Sequence, residues 1–379
     1  MTRPTGILVV GGYGVVGRRI AAHLAVGFRG RVLIAGRDGQ RAAAVSVEIG
    51  QGTKPRVVDV NDPPTIERAL DGIGTIISCV AQREMHLLRA SIGRGLACTD
   101  VAPRLAFWEG AEKLSHEARK SGARILLGAG LSPGISNMMA RQVAEALGRI
   151  ERIETAILLS VGDEYGPDSL NHVLEALTQH YTVLEDGKRR EALPFSEGRR
   201  IPFPGELGLR IVYLFPWSDV VYYPKTLGAR TALGRLALDP PWSGRLASLL
   251  VRAGARRWLR RPGLFEGHRR FLEGLKRLYA GNDAFGLVVT AESEGRVLRM
   301  SLAGRHQADV TAAGAAELVR ALATGEVGEA GVWLPEQVIS HRRFFDAIGS
   351  LGWKPSVEEV LPVAKHGELQ RTARADRDP

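Results

Sequence analysis

The residues best placed to do chemistry in this sequence are glycines near its N-terminus. Three of them, Gly12, Gly14 and Gly17, fit the spacing G-x-G-x-x-G. Such glycines permit a tight turn, let backbone amides approach a pyrophosphate, and let a helix pack close to a strand. The first turn of that helix adds unpaired N–H groups and the positive end of a dipole. The pattern predicts a dinucleotide phosphate site formed by Gly12, Tyr13, Gly14, Val15, Val16 and Gly17.

The residues after the next two predicted strands indicate which dinucleotide binds. Arg37 stands where a 2′-phosphate would lie, and a guanidinium pairs with a phosphate through charge-assisted hydrogen bonds. Asp38 follows it, and an acidic residue here would instead accept the ribose hydroxyls of NAD. Asp59 and Val60 end the third predicted strand, where the adenine ring would lie. The sequence favours NADP and leaves NAD open.

A third group of residues belongs to the nicotinamide end of the predicted site. Cys79 and Val80 follow the fourth predicted strand, beside the expected position of the ring. A free cysteine is more often a small buried apolar residue than a nucleophile, so Cys79 is given no covalent role. Asp100 follows the fifth strand and is the candidate catalytic residue, as a general acid/base or as a carboxylate that orients an amine. Its alternative role is to cap the helix or loop that follows.

Alternating strands and helices must position these residues. Ile7 to Val10 form a continuous apolar run, which is typical of a buried parallel strand. Val16, Ile20 and Leu24 then fall four apart, on one face of a helix. The alternation continues and predicts an α/β fold, a parallel sheet covered by helices on both faces in the Rossmann arrangement. The six predicted strands lie at 7–10, 32–35, 57–60, 76–80, 96–99 and 125–127, with helices at 85–93 and 108–121 among them.

After Asn137 the pattern predicts an α+β substrate and dimerisation domain. A strand is predicted at 153–161 and a helix at 169–180, while Asp186-Gly187 and Glu294-Gly295 have the composition of hairpin turns. The polar residues of this part that best fit a cleft are Tyr165, His172, His180, Tyr222, Tyr223 and Lys225.

Several stretches together resemble the saccharopine dehydrogenase-like family of NAD(P)-dependent oxidoreductases. Beside the glycine loop, Cys98–Val101 is similar to a strand-ending hydroxyl/Asp pair of that family, and 128–137 is similar to its G-x-D-P-G-x-x-N stretch. Asp309–Ala312 and Gly331–Glu336 resemble its T-A and G-V-x-x-P-E elements. The resemblance spans about residues 5 to 353 and adds Gly130 and Pro133 to the expected cofactor contacts. It also implies that the second domain is inserted into the first. The expected division is then a Rossmann domain at 1–135, an inserted α+β domain at 136–328, a return to the first domain at 329–364 and a mobile polar tail at 365–379.

The resemblance implies hydride transfer to or from a C=N or C=O bond of an amino-acid-like substrate, in a homodimer. Two positions depart from the family pattern, since Ser132 stands where the family usually has aspartate and Cys98 where an aromatic or histidine-like residue is common. Two alternatives therefore stay open. One is a reductase of a keto or enoyl group on a natural-product intermediate, and the other is a sensor or scaffold that binds NADP without catalysis.

The net charge of +10 is carried mainly by arginine, which fits nucleic acid, an anionic surface or acidic small molecules. We expect no nucleic-acid partner, because the chain lacks a lysine-rich tail and a known nucleic-acid module. The stretch 242–261 is basic and amphipathic, with Leu246, Leu249 and Leu250 among arginines. It could meet an anionic membrane, a carrier protein or an acidic substrate, but the favoured prediction is a helix whose apolar side packs inward.

Cysteine content and hydropathy set the expected compartment. The two cysteines cannot form a disulfide framework and fit a reducing environment. The first apolar run is too short for a signal segment or a membrane-spanning helix, and no later run is long enough to span a bilayer. The sequence therefore predicts a cytoplasmic enzyme without a transmembrane segment, and it indicates no metal site.

Overall fold

Two β-sheets organise the chain, and each contains strands from distant parts of the sequence. The computed structural model describes residues 5–101, 104–166, 176, 180–254 and 282–361. The predicted helix at 169–180, except for Ala176 and His180, and the predicted tail at 365–379 lie outside the described residues.

The first sheet is parallel throughout and carries the glycine loop. Its strands are β1 (Gly6–Val10), β2 (Val32–Gly36), β3 (Lys54–Val57), β4 (Ile73–Ser78), β5 (Ala97–Asp100), β6 (Arg124–Leu126) and β15 (Gly331–Trp333). They lie in the order β15-β6-β5-β4-β1-β2-β3, so the strand order reverses between β1 and β4. This arrangement confirms the predicted Rossmann-type sheet, with one more strand than the six predicted.

Six helices connect the strands of this sheet. They are α1 (Val15–Gly27), α2 (Gly39–Ile49), α3 (Pro63–Ala69), α4 (His86–Gly93), α5 (Leu105–Lys113) and α6 (Ser115–Ser121). The single helix predicted at 108–121 is two helices, which meet at Leu114. The third strand was predicted at 57–60 but ends at Val57, so Asp59 and Val60 lie in the loop beyond it.

The second sheet is mixed and contains nine strands. They are β7 (Arg152–Ser160), β8 (Tyr181–Glu185), β9 (Lys188–Ala192), β10 (Arg199–Phe203), β11 (Gly208–Leu214), β12 (Thr231–Asp239), β13 (Ala284–Ser293), β14 (Arg296–Arg305) and β16 (Ser356–Val360). The main path is β10-β11-β12-β7-β13-β14-β16, with β8 beside β12 and β9 beside β8. Among the strands described in this sheet, only β7 and β12 pair in parallel. The strand β16 pairs here, although it falls in the range predicted to return to the first domain.

Both predicted hairpins are confirmed, and their turns explain why. Asp186-Gly187 joins β8 to β9, and Glu294-Gly295 joins β13 to β14. All four turn residues have positive φ, from 47° at Glu294 to 78° at Gly295. Two consecutive residues with positive φ give the backbone twist that matches antiparallel strands, and a second-position glycine adopts it without strain.

Six further helices whose bounds fall within the described residues lie around and between the sheets. They are α7 (Ile135–Leu147), α8 (Ser218–Thr226), α9 (Pro241–Arg252), α10 (Gln307–Thr324), α11 (Pro335–Val338) and α12 (His341–Ser350), with a short 3-10 turn at Gly205–Leu207. The largest apolar core contains Ile34 of β2, Met139 of α7, Leu287 of β13 and Leu318 of α10. Because one core reaches both sheets, the position of one sheet constrains the other.

Helix α9 contradicts the favoured prediction for the basic stretch. Leu246, Leu249 and Leu250 are exposed, while the buried residues of the helix are Gly244, Ser248 and Val251. The large apolar side chains point away from the core because small residues occupy the contact face. Residues 255–261 of this stretch lie outside the described ranges.

Candidate functional site

The predicted phosphate site lies between β1 and α1, at the carboxyl edge of the first sheet. Gly14 precedes α1, and no side chain in the described part of the chain caps that helix. A Cβ added at Gly17 would lie 2.2 Å from the Gly11 carbonyl oxygen, so only glycine allows the helix to approach the turn this closely. The first N–H groups of α1 therefore point outward from a tight glycine turn, which is the arrangement that binds a phosphate anion.

The adenosine end of the site is built on Tyr13 and the start of α2. The Tyr13 hydroxyl accepts a hydrogen bond from the Asp38 amide at 3.3 Å, and the Arg41 guanidinium lies 4.5 Å from the centre of the Tyr13 ring. The Asp38 carboxylate accepts hydrogen bonds from the amides of Gln40 and Arg41, both at 3.0 Å, and so caps α2. Arg37 is exposed beside this cap. The start of α2 thus presents two guanidiniums, while one oxygen of its carboxylate, Oδ1 of Asp38, is already bonded.

Asp59 and Val60 lie at the far side of this edge, after β3. The Asp59 carboxylate accepts a hydrogen bond from the Asn61 amide at 2.9 Å, and its own amide donates to the Thr65 hydroxyl at 3.0 Å. These bonds hold the loop in a tight turn before α3. Both residues are partly exposed, so their part in binding an adenine stays a prediction.

The nicotinamide end of the predicted site lies at the ends of β4 and β5. Asp100 is paired with Ser78 across the sheet, and its carboxylate accepts a hydrogen bond from the Gly128 amide at 3.3 Å. A small pocket here is lined by Asp100 together with Val80, Gln82, Arg104 and Phe107. Asp100 is only 3% exposed and lines this pocket, which would have to widen before a molecule could bind beside the carboxyl group.

The two cysteines are not poised for thiolate chemistry. Burial, reinforced by the nearby charge of Asp100, raises the pKa of both Cys79 and Cys98 to about 12. A thiol with such a pKa remains protonated at neutral pH and is a poor nucleophile. This environment agrees with giving Cys79 no covalent role.

The loop that connects β6 to α7 brings Gly130 and Pro133 to the same edge. The Ala129 amide donates to the Asp100 carbonyl at 2.7 Å, and the Gly130 amide donates to the Pro133 carbonyl at 2.7 Å. Gly134 has a φ of 132°, and a Cβ there would lie 2.2 Å from the Gly130 carbonyl oxygen. The loop is therefore a compact turn fixed against the end of β5.

A buried carboxylate from α8 holds the start of α7. Asp219 is fully buried and accepts hydrogen bonds from the hydroxyls of Ser132 (3.0 Å), Tyr223 (3.0 Å) and Ser136. The Val220 amide donates to its second oxygen at 2.9 Å. Burial raises the pKa of Asp219, and the hydroxyl donors oppose that rise. Ser132 stands at a position that departs from the family pattern. Its hydroxyl is a hydrogen-bond partner of Asp219, a carboxylate of α8.

A second buried carboxylate, Glu336 of α11, lies in the same region. It accepts hydrogen bonds from the Asn137 side-chain amide and the Thr226 hydroxyl, each at 2.9 Å. Burial, with a smaller contribution from Asp219, raises the pKa of Glu336 to about 7. The two carboxylates join α7, α8 and α11 beside the carboxyl edge of the first sheet.

Sequence reasoning missed several residues of this region. Asp219, Arg41 and Arg104 carry no motif, and only the fold brings them to the edge. Glu336 could have been found, because it belongs to the Pro335-Glu336 element that carried the resemblance. Of the cleft candidates in the second part, Tyr223 bonds Asp219, whereas Tyr222 and Lys225 line a cavity of about 330 Å³ with Glu112 of α5. His172 lies outside the described residues, and among those described no group of His, Cys, Asp or Glu could hold a metal ion.

Comparison with known proteins gives the fold. No family model matches the sequence, and no curated protein does. The chain is similar to the solved structure of apo histidine-tagged saccharopine dehydrogenase (L-Glu forming) from Saccharomyces cerevisiae, with 14% identity and a TM-score of 0.65, covering 94% of this chain and 100% of that chain. A second match is GenD2 from gentamicin A biosynthesis in complex with NAD, with 14% identity, a TM-score of 0.44, and coverage of 96% and 98%. The first match confirms the resemblance at the level of fold, which this chain shares with saccharopine dehydrogenase over nearly its whole length.

Proposed function

We propose that this protein is an NADP-dependent oxidoreductase that moves a hydride to or from a C=N or C=O bond of an amino-acid-like substrate. The observation that carries this proposal is the uncapped N-terminus of α1 behind the glycine turn. It lies where the strand order reverses between β1 and β4, the place where open α/β sheets bind their ligands.

The residues around α2 support NADP over NAD. Asp38 would have to accept the ribose hydroxyls of NAD with its Oδ2 alone, because its Oδ1 caps α2. Arg37 and Arg41 lie beside that cap and supply positive charge for a 2′-phosphate. Gly130 and Pro133 are proposed to contact the nicotinamide half, together with Cys79 and Val80.

The chain's own contribution to the reaction is positioning and the transfer of one proton. The cofactor supplies a hydride when bound. Reduction of a C=N bond to an amine also needs a proton on nitrogen, and the carboxyl group of Asp100 is proposed to donate it and to recover it in the reverse direction. Arg104, in the same pocket, is proposed to hold a substrate carboxylate. The shared fold with saccharopine dehydrogenase supports the amino-acid-like substrate class.

The setting of this reaction is part of the proposal. We propose a homodimer in the cytoplasm, with the predicted domain division at about residues 135 and 328. Among the residues that the structure describes, no helix is long and apolar enough to cross a bilayer.

Calorimetric titration of the full chain with NADPH and NADH tests the cofactor. We expect NADPH to bind the more tightly, and Gly14→Asp to weaken its binding at least about a hundredfold, because a carboxylate would repel the pyrophosphate. Gly328→Asp is the matched control, since Gly328 is exposed with open space around it. If neither nucleotide binds wild type, or if both variants lose binding equally, the proposal is wrong.

A screen of imines and ketones with NADPH tests the chemistry. Asp100→Asn should lower turnover about 100- to 10,000-fold and leave the affinity for NADPH within about twofold. If Asp100→Asn turns over at the wild-type rate, Asp100 is not the proton donor. If wild type binds NADPH and reduces no member of either class, the non-catalytic sensor replaces the enzyme.

A further inference from the structure

Helix α9 buries a face made mostly of small residues and exposes a face of large apolar side chains. Gly244, Ser248 and Val251 are buried, at positions i, i+4 and i+7 of one face. The opposite face carries large apolar side chains, which are exposed by 51% at Trp242, 47% at Leu246, 63% at Leu249 and 47% at Leu250. An apolar stripe of this width on a surface helix normally faces the core.

The packing beneath α9 fixes this orientation. The helix lies on β11 and β12 of the second sheet. A Cβ added at Gly244 would lie 3.3 Å from the Tyr213 ring, so a larger residue on this face would have to push the helix outward. Rotating α9 to bury its leucines would place those longer side chains where Gly244 and Ser248 now fit. The exposed stripe is thus a consequence of close packing on the other side.

Positive charge lies directly beside the stripe. Arg245 and Arg252 are exposed, and each is three or four residues from Leu249 along the helix. The sequence from Pro240 to Phe265 contains no acidic residue and the arginines Arg245, Arg252, Arg256, Arg257, Arg260 and Arg261. The whole chain has a net charge of +10. A partner for this surface must therefore be both apolar and negatively charged.

We propose that α9 is an interfacial helix that docks the protein on an anionic lipid bilayer. Trp242, Leu246, Leu249 and Leu250 enter the boundary between headgroups and acyl chains, and Arg245 and Arg252 pair with anionic headgroups. A tryptophan at this depth keeps its ring in the apolar layer and its N–H near water. The helix lies in the plane of the surface, since twelve residues cannot span a bilayer.

A second copy of this chain fits the same surface less well. A two-fold contact through α9 would place the same patch on both sides, so the arginines of one copy would approach those of the other. Repulsion between these like charges opposes the contact, and no acidic residue on the helix relieves it. An anionic headgroup layer complements the same arginines.

Co-sedimentation of the full chain with lipid vesicles tests the proposal. We expect binding to vesicles of phosphatidylglycerol and phosphatidylcholine, and little binding to phosphatidylcholine alone. The double variant Leu246→Asp/Leu249→Asp should weaken binding at least about tenfold, because it removes apolar surface from the contact. Arg245→Glu/Arg252→Glu should weaken it by a similar factor on anionic vesicles only, and added salt should imitate that variant.

Val47→Asp is the matched control, since Val47 is 83% exposed on α2 and lies far along the chain from α9. It should bind vesicles as wild type does, while circular dichroism and NADPH affinity should stay unchanged in every variant. Equal binding of the leucine variant and wild type would overturn the proposal. So would binding that ignores lipid charge, or a dimer in solution that the leucine variant dissociates without any effect on vesicles.

Discussion

Two helix N-termini at the same edge of the first sheet differ in whether their first amides are bonded within the chain. Both α1 and α7 follow a glycine-containing turn after a strand of this sheet. Helix α1 has no side-chain cap in the described structure. The first amides of α7 are already used within the chain, since the Ile135 amide donates to the Gly130 carbonyl and the Ser136 amide to the Leu131 carbonyl, each at 3.0 Å. Asp219 also lies beside this start, bonded to the hydroxyls of Ser132 and Ser136. The amides of α1 are left for an external anion, and those of α7 are not.

The difference shows how a sheet with several similar helix ends can present a single anion site. A carboxylate at a helix N-terminus is stabilised by the same dipole that would attract a phosphate. Asp38 at α2 and the loop carbonyls at α7 therefore remove two competing sites. The glycine turn before α1 offers no side chain that could do so. The selectivity of the edge follows from which helix start keeps its first amides unbonded.

The largest expected effect comes from removing the Asp219 carboxylate beside the start of α7. Asp219→Ala removes the carboxylate that accepts from the hydroxyls of Ser132, Ser136 and Tyr223, and of these residues Ser136 and Tyr223 are buried. Each buried hydroxyl left unpaired costs about 1–3 kcal/mol, so we expect the free energy of unfolding to fall by about 4 kcal/mol in urea titrations. NADPH affinity should change far less, since α1 is untouched.

Exchanging the serine and the aspartate sharpens this prediction. Because Ser132 and Asp219 are hydrogen-bonded at 3.0 Å, Ser132→Asp/Asp219→Ser returns a carboxylate to the same place. We expect the double variant to recover more than half of the stability lost in Asp219→Ser. No recovery would show that the carboxylate must come from α8 and not merely lie beside α7.

The next test uses pH. Burial raises the pKa of Glu336 from 4.5 to about 7, so the folded chain holds a proton there that the unfolded chain releases. The stability that this proton provides is fully present below pH 4.5 and is lost as pH rises through 7. The loss amounts to about 3 kcal/mol. Urea titrations across this range should show it, and Glu336→Gln should remove that part of the slope.

Glu48→Gln is the control for the pH series, since Glu48 is exposed on α2. Its slope should match that of wild type. If the slope of the unfolding free energy against pH is unchanged in Glu336→Gln, the raised pKa belongs to another buried group near the start of α7.

A smaller effect is expected at the adenosine end of the dinucleotide site. Arg37→Ala should raise the Kd for NADPH about tenfold and leave that for NADH unchanged, because only the 2′-phosphate is affected. Isothermal titration calorimetry measures both constants. Arg29→Ala, which removes an exposed arginine from the loop after α1, should change neither. Equal losses for both nucleotides would place Arg37 elsewhere than at the phosphate.

The smallest effect concerns the cap of α2. Asp38→Ala should lower the free energy of unfolding by about 1 kcal/mol, the usual cost of losing an N-cap, while Asp38→Ser should retain most of it. Neither change should weaken NADPH binding. A selective loss of NADH binding in Asp38→Ala would instead show that Asp38 accepts the ribose hydroxyls.

Local patterns predicted the first sheet well because each signal is contained in a short segment. Apolar runs such as 7–10 and 32–35 define strands, and the glycine turn marks where strand gives way to helix. The boundary at Val57 was missed because Val58 to Val60 look like a strand while they form the turn before α3. The faces of α9 were missed because packing of Gly244 on Tyr213, which decided them, depends on a strand far away in the sequence.

The placement of the candidate residues at one edge followed from the sequence, whereas contacts between side chains across the fold did not. The glycine loop and Asp100 lie at the carboxyl ends of strands in one sheet, so the topology alone brings them to one edge. Asp219 meets Ser132 only because α8, from the second part of the chain, packs on the start of α7. Periodicity carries no information on such a contact, since the two residues are 87 positions apart.

The closing strand of the first sheet, Gly331–Trp333, has a consequence for synthesis on the ribosome. It pairs with β6, yet more than 200 residues are translated between them. Until it emerges, β6 is an exposed edge of a growing sheet, and exposed edges invite pairing with other chains. A chain that stops short of residue 331 would keep that edge permanently, so incomplete products of this protein should aggregate even though their glycine loop is intact.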